Sequence, residues 1–600
     1  MGDFFDFLFK TKIGNDIMQA KKKNKEKTTM QKIFQKIKED KRIHYLIILI
    51  IGILLSLPLS KIQIRDTHDG SLHLIRLIKT AQTLTTGQVP PLIASNMING
   101  AGYAMNLFYP PLVTYIPLLI KLITPTYIIT LKVFGALCII LSGVTMYQLV
   151  YQVTKRRSMA IFAAIFYMIA PYKLANIYKR YAIGEFAALV FVPWVFLGLY
   201  NLLHEDGKKH YYIAIGAIGL MLSHTVSTFY VAILCFIYLL FYIKKLANKE
   251  VLKKIGINLF FILLISCFFW LPLLEAEMSA EYTIFNDALM RTNPDYTQNN
   301  TIEFYQFFYD KGEENGTTFI IGIPTLIFII ATIYTIKKVD KKYKELYLLF
   351  LFLAYICMIL SLNVFPWKWM PSVLCKLQYP WRMVGFFNFF MSMICGINVM
   401  ILFDQFVKTD KIKWMISTLL VMFMIVYTVP IMMQFKTMQP STVDTEYEEY
   451  IMQTPVLSHM QINRDYLPVK AIYLQNTYLK EREDKTYILN GNVEIVEEDK
   501  EGLQDIIKIQ NGEKGSFLEF PYIYYPGYQV ILEVEERIIS LKPEESEHGY
   551  IGITLPEEIR KGEIKVEYTG TILMKISYIS SMIGIFLFIF YLYKEKKEKD

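Results

Sequence analysis

Charged residues are scarce in this sequence: Asp, Glu, Lys and Arg make up only 20% of its 600 residues, whereas 54% are hydrophobic. Soluble domains carry roughly 25% charged and about 45–50% apolar residues. Apolar runs of about 20 residues, long enough to cross a bilayer as helices, recur along the chain. The shortage of charge therefore excludes an ordinary soluble domain and predicts a polytopic α-helical membrane protein.

Cysteines are also few, and their positions exclude two common uses of this residue. Five of the six lie in apolar runs, and only Cys375 falls in a predicted loop. The sequence contains no C-x-x-C pair. Neither a disulfide framework nor a structural zinc site is therefore indicated.

The net charge of +9 does not indicate nucleic-acid binding, because the lysine clusters lie between apolar runs. Retention of basic loops in the cytoplasm and attraction to anionic headgroups account for such clusters. We therefore expect this charge to act at the membrane surface, and we expect no nucleic-acid partner. No cleavable signal peptide is evident, so the basic residues 1–42 are expected to stay in the cytoplasm.

About twelve spans, with both termini cytoplasmic, place the basic loops on the inner side. The apolar segment Leu107–Ile123 contains three prolines, which break a helical ladder that lipid cannot re-satisfy. We expect this segment to dip into the membrane from outside, since a crossing would invert the later basic loops. The predicted spans are Ile43–Leu59, Ile128–Val150, Met159–Leu174, Phe186–Leu203, Tyr211–Leu222, Val226–Ile243, Ile255–Leu274, Phe319–Ile336, Leu346–Leu362, Met383–Phe403, Trp414–Met433 and Ile572–Tyr591.

Between residues 434 and 570 the pattern changes to period-two alternation, as in Asn492–Glu497 and Lys565–Tyr568. Such alternation, bounded by Asn-Gly and Pro turns, predicts half-buried strands. We expect a sandwich-like β domain outside the membrane. The predicted domains are a basic segment 1–42, a membrane domain 43–433 with outer loops and surface helices at 60–125, the β domain 434–570, and a last span with a basic tail at 571–600.

A short polar stretch after the first predicted span contains Asp66, His68 and Asp69. The apolar side of Ser71–Leu84 predicts an amphipathic helix directly after it, lying along the outer membrane surface. On the predicted topology, more polar groups share this outer side: Tyr109, Arg180, Glu185, His224, Gln378 and Arg382.

This collection of polar groups suits a reaction at a lipid phosphate. A charge in a membrane costs up to about 2.5–3.5 kcal/mol at a helix centre unless it is paired or used. Arginine binds phosphate oxygens bidentately, and a carboxylate can take a proton from an attacking hydroxyl. The mixture favours transfer of a sugar from a polyprenyl phosphate whose tail lies in lipid.

Several short motifs stand out in the membrane part: Asp66-x-His68-Asp69-Gly70, Gly100-x-Gly102 with Phe108-Tyr109-Pro110-Pro111, Pro171-Tyr172 with Arg180 and Glu185, Leu222-Ser223-His224, and Leu377-Gln378-Tyr379-Pro380-Trp381-Arg382. Together they resemble bacterial membrane proteins of the 6-pyruvoyl-tetrahydropterin synthase-related family. The likeness extends from about Ser60 to Arg382 and is shared by YfhO-like proteins and, more remotely, by GT-C glycosyltransferases. In the β domain, Phe520–Tyr528 resembles a Tyr-Pro-Gly-aromatic turn of YfhO-like proteins.

The resemblance implies a GT-C fold, a polyprenyl-phosphate-sugar donor, and an acidic residue in the first outer loop that acts as base or metal ligand. Here that role falls to Asp66 or Asp69. GT-C enzymes often carry adjacent acidic pairs, whereas His68 separates these two. Which carboxylate is the base, and whether these three residues hold a divalent metal ion, therefore stay open. A pterin synthase is not expected, because such enzymes use a three-histidine zinc site and the eight histidines here are dispersed.

The leading interpretation is a glycosyltransferase acting at the outer face of a bacterial plasma membrane. Asp66, His68 and Asp69 are its candidate catalytic residues, and the six further outer groups are candidates for substrate binding. A lipid-linked sugar donor and an envelope polymer or lipid acceptor are the predicted partners.

Two non-catalytic alternatives stay open: a transporter or flippase for a lipid-linked saccharide, and an assembly factor whose β domain binds polymer. At the level of single residues, Arg180 and Arg382 also suit a structural role at the headgroups. His224 between apolar runs is more typical of a helix-end hydrogen bond than of a ligand.

Overall fold

The computed structural model describes residues 40–290, 292–309, 318–433, 442–454, 464–473, 478–535 and 537–597. Most of the predicted basic segment 1–42 lies outside the described residues. The helices before the first long connecting region are α1 Lys41–Ser56, α2 Gly70–Thr85, α3 Met105–Phe108, α4 Leu112–Lys121, α5 Tyr127–Thr154, α6 Arg157–Ile169, α7 Pro171–Tyr178, α8 Ile183–His204, α9 Tyr212–Met221, α10 Thr225–Phe241, α11 Ile243–Leu246 and α12 Lys249–Ser279.

The remaining helices complete the membrane part and flank the β domain. They are α13 Pro294–Asn299, α14 Ile323–Ile330, α15 Thr332–Thr335, α16 Lys341–Ser361, α17 Ser372–Cys375, α18 Met383–Phe406, α19 Asp410–Met433, α20 Thr442–Gln453, α21 Val469–Tyr473, α22 Tyr478–Glu481 and α23 Ile572–Lys597.

Among the described residues, eight helices are long and apolar enough to cross a membrane. They are α1 with its 3-10 extension, α5, α8, α12, α16, α18, α19 and α23. The pair α6 and α7 would make a ninth span, bent by 46° where Pro171 supplies no backbone N–H to continue the helical ladder. The predicted helical membrane class is confirmed, whereas the count of about twelve crossings stays a prediction.

Four shorter apolar helices account for the rest of the predicted membrane segments. Three of them, α9, α10 and the pair α14–α15, coincide with predicted spans. The fourth, α4, lies in the segment predicted to dip into the membrane and has only 10 residues, with Pro117 inside it. At 1.5 Å rise per residue, α4 by itself is too short to cross a bilayer.

Helices α8 and α18 form the centre of the membrane part. In each of them 89% of the most apolar stretch is buried within the protein, against 28% for α23. The helix predicted at Ser71–Leu84 is confirmed as α2. Its apolar side joins the core, and α20 covers part of its polar side, where Lys79 Nζ donates to the Thr454 carbonyl at 2.8 Å.

The C-terminal part contains an antiparallel β domain, as the alternating sequence predicted. Its strands are β1 Tyr487–Asn490, β2 Glu494–Glu501, β3 Gln504–Gly512, β4 Phe517–Ile523, β5 Tyr528–Val534, β6 Arg537–Leu541, β7 Glu544–Glu545, β8 Tyr550–Thr554 and β9 Ile559–Tyr568. They form a four-stranded sheet in the order β1-β4-β8-β7 and a five-stranded sheet in the order β2-β3-β9-β5-β6. Inward residues of both sheets, such as Leu518 and Ile564, belong to one hydrophobic core.

The β domain is docked on the loop between α2 and α3. The Ile523 amide donates to the Ala101 carbonyl at 2.9 Å, and Lys500 Nζ donates to the Gly100 carbonyl at 2.9 Å. Gly100 has φ +91°, and a Cβ there would lie 2.6 Å from an Asp484 carboxylate oxygen. A glycine is therefore needed where the β domain approaches this loop so closely.

Candidate functional site

The polar stretch after α1 is fastened to a distant loop by two backbone hydrogen bonds. The amide of Asp69, the residue before α2, donates to the Arg180 carbonyl at 2.9 Å. The His68 amide donates to the Lys179 carbonyl at 3.3 Å. The turn is tight, because a Cβ on Gly70 would lie 2.2 Å from both the Ile64 carbonyl and Thr67 Oγ1. Two loops that are far apart in sequence thus form one wall.

The structure separates the two aspartates that the sequence left equivalent. Asp69 and His68 line a cavity of about 1120 Å³, whereas Asp66 is exposed and does not line it. Burial raises the pKa of the Asp69 carboxyl above its usual range, and Arg180 opposes this shift. Burial also lowers the pKa of His68, with Asp69 opposing, so this imidazole is neutral at pH 7. Asp69 is therefore the better placed base of the two.

Glu185, at the start of α8, is the centre of a buried hydrogen-bond network. Its carboxylate accepts from Tyr172 Oη, from Asn176 Nδ2 at 2.9 Å and from Arg180 Nη1 at 3.0 Å. Arg180 Nη1 also donates to Asn176 Oδ1 at 2.6 Å. Because Glu185 is committed to several donors, it fixes the position of Arg180 rather than offering an open carboxylate.

Arg382, by contrast, keeps part of its hydrogen-bonding capacity unused. Its Nε atom lies 3.6 Å from Glu185 Oε2, which is an ion pair but too long for a hydrogen bond. Its Nε and Nη1 atoms are buried and make no hydrogen bond to the described residues. The guanidinium lies 4.8 Å from the Tyr379 ring centroid and 5.6 Å from that of Trp381, whose ring also faces Arg180 at 4.7 Å. This is an oriented cation with free donors.

The remaining predicted residues also lie in the cavity wall: Tyr109, His224 and Gln378. His224 caps α10, since its Nδ1 accepts from the Ser227 amide at 3.1 Å. It therefore has the predicted helix-end role and also lines the cavity. The Tyr109 ring stacks under the Arg76 guanidinium at 3.9 Å. Of the nine residues predicted for the site, only Asp66 lies outside the cavity lining.

Sequence reasoning missed a large part of the cavity wall. The segment from Ile284 to Tyr309 contributes aromatic and amide side chains, and Asp465 and Tyr466 enter from the region before the β domain. A weak signal was present in Tyr296, Asn299, Asn300 and Tyr305, an aromatic and amide cluster next to a predicted span. No periodicity marks Asp465, which only tertiary packing brings to the cavity.

The donor set does not fit a protein-held metal ion. Within the ranges that the structure describes, no group of three or more His, Cys, Asp and Glu residues is arranged to hold one. Of the three candidate ligands, Asp66 does not line the cavity that His68 and Asp69 share. The groups that this site offers for chemistry are therefore its own side chains.

These features define a helical membrane protein with a β domain and with a polar cavity lined by residues from several of its helices and loops. Residues 107–438 match the family described as "6-pyruvoyl-tetrahydropterin synthase related domain; membrane protein". This match covers more than half of the chain, and the chain belongs to that family. The resemblance derived from the motifs is thereby confirmed. Across the described residues, the histidines form no metal-binding group of the kind that the pterin label would require.

The chain is similar to known proteins over most of its length. A protein of Lactococcus lactis subsp. cremoris strain MG1363, described as uncharacterized, is 27% identical in an alignment of 602 positions that covers 92% of this chain and 97% of that protein. Similar solved structures include the archaeal oligosaccharyltransferase AglB from Archaeoglobus fulgidus, bound to an inhibitory peptide and a dolichol-phosphate, with 13% identity and a TM-score of 0.42. The match covers 71% of this chain and 61% of AglB.

The arabinofuranosyltransferase AftD from Mycobacteria is also similar, with 13% identity and a TM-score of 0.42 over 67% of this chain and 27% of that enzyme. The chain matches about three fifths of the length of AglB and about a quarter of that of AftD.

Proposed function

We propose that this protein is a GT-C-type membrane glycosyltransferase that moves a sugar from a polyprenyl-phosphate donor to an envelope acceptor outside a bacterial plasma membrane. The observation that carries the proposal is the presence, in one cavity, of a raised-pKa carboxyl at Asp69 and a guanidinium with unused donors at Arg382. Membership of a membrane-protein family supports the setting.

In the proposed reaction, Arg382 binds the donor phosphate and Asp69 accepts the proton of the acceptor hydroxyl. The hydroxyl oxygen attacks the anomeric carbon and forms the new glycosidic bond. The bond from the anomeric carbon to the phosphate oxygen breaks, and polyprenyl phosphate leaves with the electron pair. Arg382 stabilises the charge that develops on the leaving phosphate. No step requires a metal ion.

The state of the two arginines favours a donor with a single phosphate. Arg180 is hydrogen-bonded to Glu185 at 3.0 Å, so much of its charge is already compensated. Arg382 keeps two donor atoms, Nε and Nη1, without a hydrogen bond to the described residues, so its guanidinium still has donors to offer one phosphate group. A pyrophosphate would carry more charge than this single open guanidinium can balance.

The cavity wall also suits a lipid tail. Val226, Leu273 and Phe285 form part of the lining, and Tyr305 and Tyr309 lie at its exposed side. Exposed aromatic residues are typical of the membrane–water interface. We propose that the tail enters from lipid along this side, with the phosphate reaching Arg382 and the outer ends of the helices facing the acceptor.

The test is sugar transfer by the purified full-length protein in lipid nanodiscs, with isotope-labelled polyprenyl-phosphate-linked hexoses as donors. We expect Asp69→Asn to abolish release of polyprenyl phosphate, while Asp66→Asn retains it because Asp66 is outside the cavity. Equal activity in both variants would overturn the proposal. Donor binding without turnover by the unmodified protein would instead favour a transporter.

A further inference from the structure

His224, whose ring lines the cavity, has a single hydrogen-bond donor in a defined position. Its Nδ1 atom lies 3.1 Å from the amide nitrogen of Ser227 and 2.8 Å from Ser227 Oγ. A backbone amide can only donate, so Nδ1 accepts and carries no proton. Burial and, after it, the charge of Arg382 lower the pKa of His224 to about 3, so the ring is neutral at pH 7. Its one proton is therefore on Nε2.

The first turn of α8 brings the Tyr109 hydroxyl next to this ring. A Cβ on Gly184 would lie 2.7 Å from Tyr109 Oη and 3.0 Å from Cδ2 of His224. A side chain at position 184 would displace the phenol, so it is the glycine that lets Tyr109 and His224 meet at this point. Since Cδ2 is bonded to Nε2 within the ring, the N–H of His224 lies in the same part of the cavity as the Tyr109 hydroxyl.

The Tyr109 hydroxyl is a donor as well. Burial raises its pKa, and Arg76 opposes this shift, so the group keeps its proton at neutral pH. The Arg76 guanidinium belongs to a residue only 3% exposed and lies 3.9 Å from the Tyr109 ring centroid. A cation on the face of an aromatic ring attracts the ring electrons, which makes the O–H group a stronger donor.

Arg382 faces the same turn of α8. Its Nε atom lies 3.6 Å from Oε2 of Glu185, the residue after Gly184. Arg382, Tyr109 and His224 all line the one cavity. One guanidinium and two neutral donors therefore surround the start of α8.

The proposed reaction changes the charge that these donors would meet. The phosphate of the donor is a diester with one negative charge and two non-bridging oxygens. When its bond to the anomeric carbon breaks, it becomes a monoester with three terminal oxygens and a charge of about −1.5 to −2 at pH 7. Donors aimed at charge that develops during a reaction bind the transition state more tightly than the substrate.

We infer that Nε2–H of His224 and the hydroxyl of Tyr109 complete, together with Arg382, the site of the leaving phosphate. This inference rests on the proposed function and specifies what stabilises its leaving group. Both groups donate hydrogen bonds and neither transfers its proton, because the electron pair of the broken bond stays on the phosphate oxygen. The product polyprenyl phosphate is therefore held more tightly than the sugar-loaded donor.

The experiment measures binding to the full-length protein in detergent micelles and needs no turnover. Its probes are radiolabelled farnesyl phosphate, a short polyprenyl phosphate, and radiolabelled farnesol, the same chain without the phosphate. We expect His224→Asn to raise the Kd of farnesyl phosphate about 10- to 100-fold, the loss for a hydrogen bond to a charged group, and to leave that of farnesol unchanged. Asparagine is a preferred helix cap, but its side chain ends one atom short of Nε2. The melting temperature should therefore not change.

Tyr109→Phe should weaken farnesyl phosphate binding in the same way, because it removes the hydroxyl and keeps the ring that stacks with Arg76. Tyr115→Phe on α4 is the matched control, since Tyr115 does not line the cavity. It should leave the binding of both probes unchanged. If His224→Asn does not fold, Tyr109→Phe, which leaves the cap of α10 intact, decides the result.

Three results would overturn the inference: an unchanged Kd for farnesyl phosphate in either folded variant, an equal loss of farnesol binding, or displacement of farnesyl phosphate by inorganic phosphate or phosphatidic acid at equal concentration. Absence of sugar transfer by the unmodified protein would refute the proposed function instead. The binding of farnesyl phosphate by the variants would still decide whether these groups form a phosphate site.

Discussion

Four carboxylates in or near the candidate site have different environments, and these environments suit them to different roles. Glu185 is held by Tyr172, Asn176 and Arg180 and positions a guanidinium. Asp69 is partly buried in the cavity and has a raised pKa, whereas Asp66 is exposed. Asp465 reaches the cavity only through tertiary packing. Residue type alone could not separate these roles, because burial and partners decide them.

The pH dependence of sugar transfer tests the role of Asp69. Burial raises the pKa of its carboxyl, so the proton-accepting form is present above this pKa and is lost as the pH falls through it. We expect the acid limb of kcat/KM for the acceptor to lie above the value of about 3.9 for an unperturbed Asp. Asp66→Asn should leave this limb in place. A limb at or below the ordinary value would contradict a buried base.

Removing the charge of Glu185 should destabilise the protein strongly. Glu185→Gln leaves the buried Arg180 without its counter-charge, and breaking such a pair costs about 3–5 kcal/mol. The matched control is Glu205→Gln, which breaks the partly exposed pair with Lys155, 3.3 Å apart, at a cost of about 0–1 kcal/mol. Thermal unfolding in detergent compares the two. Equal melting temperatures for both variants would show that the buried network is not structurally important.

At the scale of elements, the attachment of the turn before α2 to the loop at Lys179 and Arg180 is the contact that shapes the site. Sequence periodicity predicted this helix within one residue at each end, but it could not reveal that the preceding turn is bonded to the loop at Lys179 and Arg180. The turn needs a residue without a side chain at position 70, where the carbonyl of Ile64 lies too close for a Cβ.

Gly70→Ala should therefore disturb the site, although residue 70 takes no part in the proposed reaction. The added methyl group must push the turn away, which weakens the bond from the Asp69 amide to the Arg180 carbonyl, and overpacking of this kind costs about 1–3 kcal/mol. Gly256→Ala in α12 is the control, because a Cβ at that position would have no neighbouring atom within 4 Å among the described residues. We expect transfer to fall in the first variant only. Full activity of Gly70→Ala would show that the turn tolerates displacement.

At the scale of the whole molecule, the β domain is bonded to a segment that lines the cavity. Tyr525 Oη donates to the carbonyl of the lining residue Tyr466, and Lys500 and Ile523 bond to the loop before α3. A deletion of residues 437–567, which would remove the β domain, would also remove Asp465 and Tyr466 from the cavity wall. Loss of function in that variant would not distinguish an enzyme from an assembly factor, so a smaller change is needed.

Tyr525→Phe removes one hydroxyl and leaves the buried Tyr466 carbonyl without this donor, at a cost of about 1–3 kcal/mol. Because the segment that carries Asp465 and Tyr466 loses one of its fixed points, we expect sugar transfer to fall. Tyr487→Phe serves as the control, since its hydroxyl accepts from the exposed Glu483 amide at 3.3 Å and Tyr487 is outside the cavity lining. The rate of sugar transfer measures the effect. A rate unchanged by Tyr525→Phe would mean that the contact with the β domain does not position this segment.

The sequence predicted the membrane class, the α2 helix and the strand pattern, because apolar length and periodicity are local properties of the chain. It also grouped Arg180, Glu185 and Arg382 with the polar stretch after α1, since the topology predicted from the lysines gave them a common side. It could not predict that Asp66 lies outside the cavity lining or that Asp465 lies in it. Those positions depend on a tight turn at Gly70 and on docking of the β domain, which no local pattern encodes.

The most direct test of the central claim is a cryo-EM structure of the full chain in nanodiscs with a non-cleavable polyprenyl-phosphate-sugar analogue. We predict phosphate oxygens about 2.7–2.9 Å from guanidinium nitrogens of Arg382, with the anomeric carbon on the side of Asp69. Density for the phosphate away from Arg382, or a sugar that Asp69 cannot reach through an acceptor hydroxyl, would contradict the proposed transfer.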